Sequence, residues 1–354
     1  MIKQLEIKKD SIVYIACPAQ SITGGPELLH QLCDKLIKLG IDARMYYYPN
    51  NVVNPKPQDY SRYNTPIATN ISDNSKNILI VPEVYTELHK KYKNIQKVIW
   101  WLSVDNFYKK QYFKSWKFLF IRIINKIAHT FKFPIIIDMR NFELSTNYIN
   151  KFRFKDYIFG NNIIHFVQSE YAKQHLLQHK IKPDQIYYLS DYINKDFIIS
   201  QNNNHNDKRE DIVLYNPKKG YSFTEKLMKI APDLKWVPLV NLSRSEVINY
   251  LQKSKVYIDF GNHPGKDRFP REAAICGCCV ITGKRGSANY YEDVPIPEKY
   301  KFADTEENLY KIIDCIRDCL DNYDQRKKDF EEYRQFIINE EEKFKQDVQK
   351  IFSP

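Results

Sequence analysis

Residues 259–274 hold three cations, Lys266, Arg268 and Arg271, together with Gly261, Gly265 and the loop histidine His263. Cations at this density beside a helix start marked by Pro270 suit a diphosphate. Each can pair with a phosphate oxygen, and the free amides of the first turn add the positive end of the helix dipole. Glu272 follows in the first helical turn. It is placed either to accept hydrogen bonds from ribose hydroxyls or merely to complement the dipole, worth well under about 1 kcal/mol. His263 is isolated, and a lone loop histidine serves as readily for hydrogen bonding as for acid–base work.

Three other loops offer related chemistry. Asn216-Pro217-Lys218-Lys219-Gly220 follows a β-branched run and precedes a helical pattern, so Lys218 or Lys219 can neutralise a phosphate; a lysine pair in a turn can also be plain solvated surface. The stretch 282–293 carries Ser287 and Asn289 among glycines and cations. Near the N-terminus, Gly24 and Gly25 stand between a strand pattern and the helical spacing Leu28, Leu29, Leu32, Leu36. Paired glycines there let a ligand approach the backbone, though such turns also hold glycine for conformational reasons alone.

Positioning these loops requires strands that end at them. Short β-branched or aromatic runs alternate with amphipathic stretches along the chain, which predicts an α/β protein with parallel sheets covered by helices. The first half predicts strands at 11–17, 41–48, 77–81, 96–102, 134–138 and 163–168; the second predicts 211–215, 234–239, 255–260, 278–282 and 299–302. The polar run 200–210 reads as a linker between two doubly wound, Rossmann-like domains, 1–200 and 201–335. A charged helix at 336–354 is expected to pack back on the first domain. Ligands of open parallel sheets bind beyond the strands' carboxyl ends, so a cleft between the domains is the expected site.

The 354 residues accommodate two cores, and 43% hydrophobic content excludes a disordered chain. A net charge of +11 predicts phosphate-bearing partners without choosing among nucleotides, anionic lipids and nucleic acid. No helix-turn-helix, zinc-finger or aromatic-sheet motif accompanies that charge, so nucleic acid is not an expected partner. The seven cysteines match no zinc spacing and sit among apolar residues, which predicts reduced, buried thiols and no metal site. Without a signal core or a run of about 20 apolar residues, the chain is expected to be cytoplasmic. In 106–133, Phe113, Trp116, Phe120, Ile123 and Ile127 share a helical face edged by Lys110, Lys114 and Lys117. That stripe predicts either packing on the first sheet or peripheral contact with an anionic membrane.

The order of these motifs resembles the GT-B glycosyltransferases, in particular the group 1, or family 4, retaining enzymes of bacterial surface polysaccharide synthesis. Lys219-Gly220 is similar to their lysine-glycine pair, and 272–281 to their Glu-Ala-x-x-x-Gly-x-x-Val-Ile pattern. Gly24-Gly25 and Val167-Gln168-Ser169-Glu170-Tyr171 resemble first-domain features of the family.

The resemblance implies transfer of a sugar from a nucleoside diphosphate to a glycan or lipid-linked acceptor, with retention and without a metal or other cofactor. Lys219, Arg268 and Asp105 would be catalytic. Gly24, Gly25, Asn216, Lys218, Lys219, His263, Lys266, Arg268, Arg271, Glu272, Ser287 and Asn289 would bind the donor. Such an enzyme would work at the inner face of the cytoplasmic membrane. Three departures stand out. Pro264 takes the place of the family's first glutamate, no arginine precedes the lysine-glycine pair, and Asp105 stands in for a first-domain histidine. A sugar-binding protein that kept the fold without catalysis is the first alternative reading, and a basic nucleic-acid-binding protein the second.

Overall fold

The computed structural model describes residues 5–113, 124, 162–202 and 209–353. They form two parallel-sheet units, each built from the short apolar runs expected of strands buried on both faces.

The first sheet comprises β1 (Ile12–Pro18), β2 (Asp42–Tyr48), β3 (Ile78–Pro82), β4 (Gln96–Trp101), β5 (Ile163–Val167) and β6 (Ile186–Tyr188), in the order β2-β1-β3-β4-β5-β6. Its inner strands are largely apolar: all five residues of β3 are buried, and Val13 of β1 lies between Ala43 and Ile78 in parallel register. The helix Gly24–Lys38 connects β1 to β2, burying Leu28, Leu29, Leu32 and Leu36 at the helical spacing seen in sequence.

The second sheet comprises β7 (Glu210–Tyr215), β8 (Lys235–Pro238), β9 (Ser254–Asp259), β10 (Cys279–Gly283) and β11 (Lys301–Phe302), in the order β11-β10-β9-β7-β8. Every neighbouring pair in it is parallel. Its core gathers Val213, Leu214, Val256, Ile258, Val280 and Ile281 with the apolar face of the helix Leu309–Asp321.

Ten of the eleven expected strands coincide with observed ones to within two residues. The eleventh, 134–138, lies outside the described residues, as does most of the aromatic stripe at 106–133, where the helix Val104–Phe113 is described. The three-residue β6 was not anticipated. All seven cysteines are free thiols, and six of them are buried.

The expected division at residue 200 needs correction. Of the described residues, the first unit takes 5–113, 124, 162–166 and 177–187, and the second takes 167–176, 188–202 and 209–353. The reason is packing within the second unit: Asp191 pairs with Arg271, and Tyr192 meets Phe344 at 5.4 Å between ring centroids. That last contact also assigns the C-terminal helix, Glu340–Phe352, to the second unit rather than to the first.

Candidate functional site

In the second unit, the loops after β7, β9 and β10 meet at the carboxyl edge of the sheet. After β7, Asn216 accepts a hydrogen bond from the Lys218 amide at 3.0 Å through its side-chain oxygen, a turn that leaves Lys218 exposed and directs the chain into Lys219. Gly220 then takes φ +57° at the start of the helix Tyr221–Ile230. A Cβ there would stand 2.5 Å from the Phe260 carbonyl, and one on Gly261 would stand 2.2 Å from Lys219 Cβ. Glycine at both positions therefore lets the loops after β7 and β9 pass at backbone distance.

Lys219 Nζ reaches Asp267 Oδ2 at 2.6 Å. The fully buried His263 lies on the far side of that carboxylate, Nδ1 3.0 Å from Asp267 Oδ2 and Nε2 3.4 Å from Asp259 Oδ1. Asp259, the last residue of β9, accepts further hydrogen bonds from the Gly261 amide (3.1 Å) and the Tyr257 hydroxyl (3.0 Å). Burial alone would push His263 down, but the carboxylates of Asp259 and Asp267 outweigh it and hold the imidazole up at about 9. Burial likewise opposes ionisation of Asp267, and Lys219 and His263 reverse that, holding its carboxyl far below the usual range. Two carboxylates thus balance two cations. Asp259, His263 and Asp267 are also the one group among the described residues compact enough for a metal ion, their ligand atoms lying within 4.8 Å of one another. Here the Lys219 ammonium and the imidazolium supply the positive charge.

The remaining cations of this loop are arranged differently from the expectation. Arg271, fully buried, donates to Asp191 Oδ2 and Glu340 Oε2, both at 2.8 Å, and to the backbone carbonyls of Lys266 (2.9 Å) and Asp267 (3.1 Å). Lys266 Nζ lies 2.8 Å from Glu340 Oε1 and donates to Ser190 Oγ at 3.0 Å. These two cations, expected to face a donor, are instead neutralised by carboxylates and brace the loop from beneath. Ser287 is also committed to bracing, its hydroxyl donating to the Gly265 carbonyl at 2.6 Å and its amide to the His263 carbonyl at 2.9 Å.

Arg268, half-buried, opens the helix Arg268–Ile275, so Glu272 falls in the second turn rather than the first, where it is 9% exposed. The dipole explanation for Glu272 loses its basis there, since the effect fades beyond the first turn. Asn289 is exposed at the end of the loop after β10.

In the first unit, Gly24 and Gly25 are the first two residues of their helix, with Thr23 before them. Asp105 is buried in the first turn of Val104–Phe113. Sequence reasoning missed Glu83, immediately after β3: it is 3% exposed, accepts from the Leu102 amide at 3.0 Å, and is pushed up to about 8 by burial. A carboxyl that is neutral at pH 7 at a strand's carboxyl end is a candidate proton donor. Its sequence signal, a lone acid after an apolar strand, was too common to single out.

Two doubly wound parallel sheets joined in one chain in these strand orders constitute the GT-B fold. The chain is similar to a glycosyltransferase from Rickettsia africae ESF-5 at 15% identity, over 97% of this chain and 99% of that one, with a TM-score of 0.58. It is similar to Anabaena HepE in complex with UDP-glucose at 10% identity over 96% and 99% of the two chains (TM-score 0.54), and to the sucrose-phosphate synthase of Thermosynechococcus elongatus at 11% over 97% and 95% (TM-score 0.54). No protein-family model and no curated protein matches the chain. Among the described residues no helix is long and apolar enough to cross a membrane.

Proposed function

We propose that this protein is a glycosyltransferase that takes its sugar from a nucleoside diphosphate and holds the diphosphate at the carboxyl edge of the second sheet. The observation carrying this reading is Lys219. It is a partly exposed ammonium at a strand end, fixed by Asp267 and flanked by Gly220 and Gly261, which open the backbone around it. In that reading, Lys219 and Arg268 stabilise charge on the departing diphosphate. The helix starting at Arg268 adds its amides, and Glu272 receives ribose hydroxyls. Lys218 and Asn289 line the approach, and Asn216 sets the turn. The fold supports it, because HepE has been captured with UDP, UDP-glucose and glucose. The acceptor is a glycan or lipid-linked glycan, in keeping with the likeness at 13% identity to WaaG, a glycosyltransferase involved in lipopolysaccharide biosynthesis.

Retention and metal independence belong to the same proposal, since Lys219 and Arg268 supply the charge a cation would otherwise bring. In the first unit, Asp105 and Glu83 are the candidate acids, and Gly24 and Gly25 offer helix amides. A binding-only protein is the second reading. It is favoured by the commitment of Lys266 and Arg271 to internal carboxylates, which leaves fewer cations for a departing phosphate.

Calorimetric titration with UDP, GDP and their sugar conjugates, free of divalent metal, tests the donor site. Micromolar binding that is lost in Lys219→Ala and in Glu272→Ala is the expected result, and absence of binding by every nucleotide would refute the proposal. Release of UDP or GDP from a bound sugar donor, with or without acceptor, separates an enzyme from a binding protein.

A further inference from the structure

The ion pairs of the loop 259–271 fall into two groups with opposite exposure. Around Arg271 and Lys266 every charged side chain is sealed, at most 4% exposed. Around Lys219 the exposure is graded: Lys219 is 30% exposed and Asp267 18%, while His263 and Asp259 are at 0% and 2%. The only member of this set that can change partner without opening the core is therefore Lys219.

We propose that Asp267 is an internal stand-in for the phosphate: it holds Lys219 until an incoming diphosphate takes the ammonium by exchange, whereupon Asp267 remains paired with His263. This rests on the donor site proposed above and adds the device that regulates it.

The argument lies in a shared oxygen. Asp267 Oδ2 is 2.6 Å from Lys219 Nζ and 3.0 Å from His263 Nδ1, so one carboxylate oxygen faces two cations. Removing a sole partner from a buried carboxylate would strand its charge, which is strongly unfavourable. With His263 in place, Asp267 keeps a cation when Lys219 departs, although one imidazolium then serves both Asp267 and Asp259. His263 in turn stays charged because Asp259 stands on its other side, fixed by Tyr257 and Gly261 and unable to follow Lys219.

The exchange sets a threshold on ligand charge. A monoanion offers Lys219 no more than the carboxylate it must displace, whereas a diphosphate offers several oxygens and two or more charges. The site should thus ignore phosphodiesters, which carry a single charge, and hold nucleoside monophosphates, whose one phosphate carries about −1.5 to −2 at pH 7, more weakly than a diphosphate.

The experiment is calorimetric titration of wild type, Asp267→Asn, Lys219→Met and the double variant with UDP, UMP and inorganic pyrophosphate. Asp267→Asn is expected to bind UDP about tenfold more tightly and to bring UMP into the measurable range, and the double variant should lose both gains. Weaker or unchanged UDP binding in Asp267→Asn, or a gain that persists without Lys219, would overturn the proposal. Asp267→Ala carries the same expectation should Asp267→Asn fail to fold. If the wild type binds neither UDP nor GDP, the donor reading fails on its own. The exchange is then decided by pyrophosphate, for which a tenfold, Lys219-dependent gain upholds it and no gain refutes it.

Discussion

Arg271 Nη1 and Glu340 Oε2 lie 2.8 Å apart, neither side chain more than 2% exposed, although 69 residues separate them in sequence. With Asp191 on its second nitrogen, Arg271 links the loop after β9 to both the segment leading into the second unit and the start of the C-terminal helix. Arg271→Ala leaves Asp191 and Glu340 buried, with Lys266 still paired to Glu340 but no ion pair to Asp191 in its place. It should cost about 3–5 kcal/mol of stability, read from the urea midpoint. Arg271→Lys, which keeps the charge but loses the fork, should fall between the two.

Glu83 gives the first unit a pH-dependent stability. Its folded value is raised from 4.5 to about 8 by burial, so the folded protein holds this proton more tightly than the unfolded chain. The stability it contributes is full below pH 4.5 and is lost as pH rises through 8. Glu83→Gln, a neutral isostere that can still accept from the Leu102 amide, should therefore gain on wild type as pH rises and exceed it at pH 9. Melting temperatures of the two proteins that run parallel from pH 5 to 9 would contradict a buried, neutral Glu83.

Asp293 caps the helix Glu170–Gln178 from a distant part of the chain, accepting from the amides of Glu170 at 2.8 Å and Tyr171 at 3.0 Å. Asp293→Ala removes both acceptors and should cost about 1–2 kcal/mol. Hydrogen exchange at these two amides should speed up while the strands of the second sheet keep their protection.

Gly286 holds φ +58°, and a Cβ there would stand 1.9 Å from the His263 carbonyl oxygen. Gly286→Ala must push away the loop that carries His263 and Asp267. A loss of about 2 kcal/mol or more is expected in thermal unfolding, together with weaker nucleotide binding.

Nucleotide binding should not change on adding EDTA or magnesium, because Lys219 and His263 already supply the charge that Asp259 and Asp267 require. A requirement for magnesium would show instead that those three side chains hold a cation with the donor.

The strands were legible because buried parallel strands are written locally, as in Ile78-Leu79-Ile80-Val81. The loop 259–271 and Lys219 were legible because cations and glycines cluster at strand ends. What each cation does was not legible. Arg271 finds Asp191 at a separation of 80 residues and Glu340 at 69, and a single sequence carries no trace of such pairings. In sequence Asp267 is one acid among several cations, and its role depends on the loop folding back so that residues 259, 263 and 267 converge. Glu83 needed the burial that only packing reveals.

The capping of residues 170 and 171 by Asp293, and the pairing of Asp191 with Arg271, mean that the two units are interleaved along the polypeptide. The ten residues 167–176 are synthesised in the midst of the first sheet, from the last residue of β5 onward and before β6, yet belong to the second unit. A growing chain therefore carries them unsatisfied until Asp293 is made, so their docking must come late in synthesis. For the same reason a fragment begun at residue 201 would expose the Arg271 guanidinium and leave Asp293 without its amides. The second sheet would inherit a wound at each place where the first had lent it residues, and a single proteolytic cut should not yield two independently stable halves.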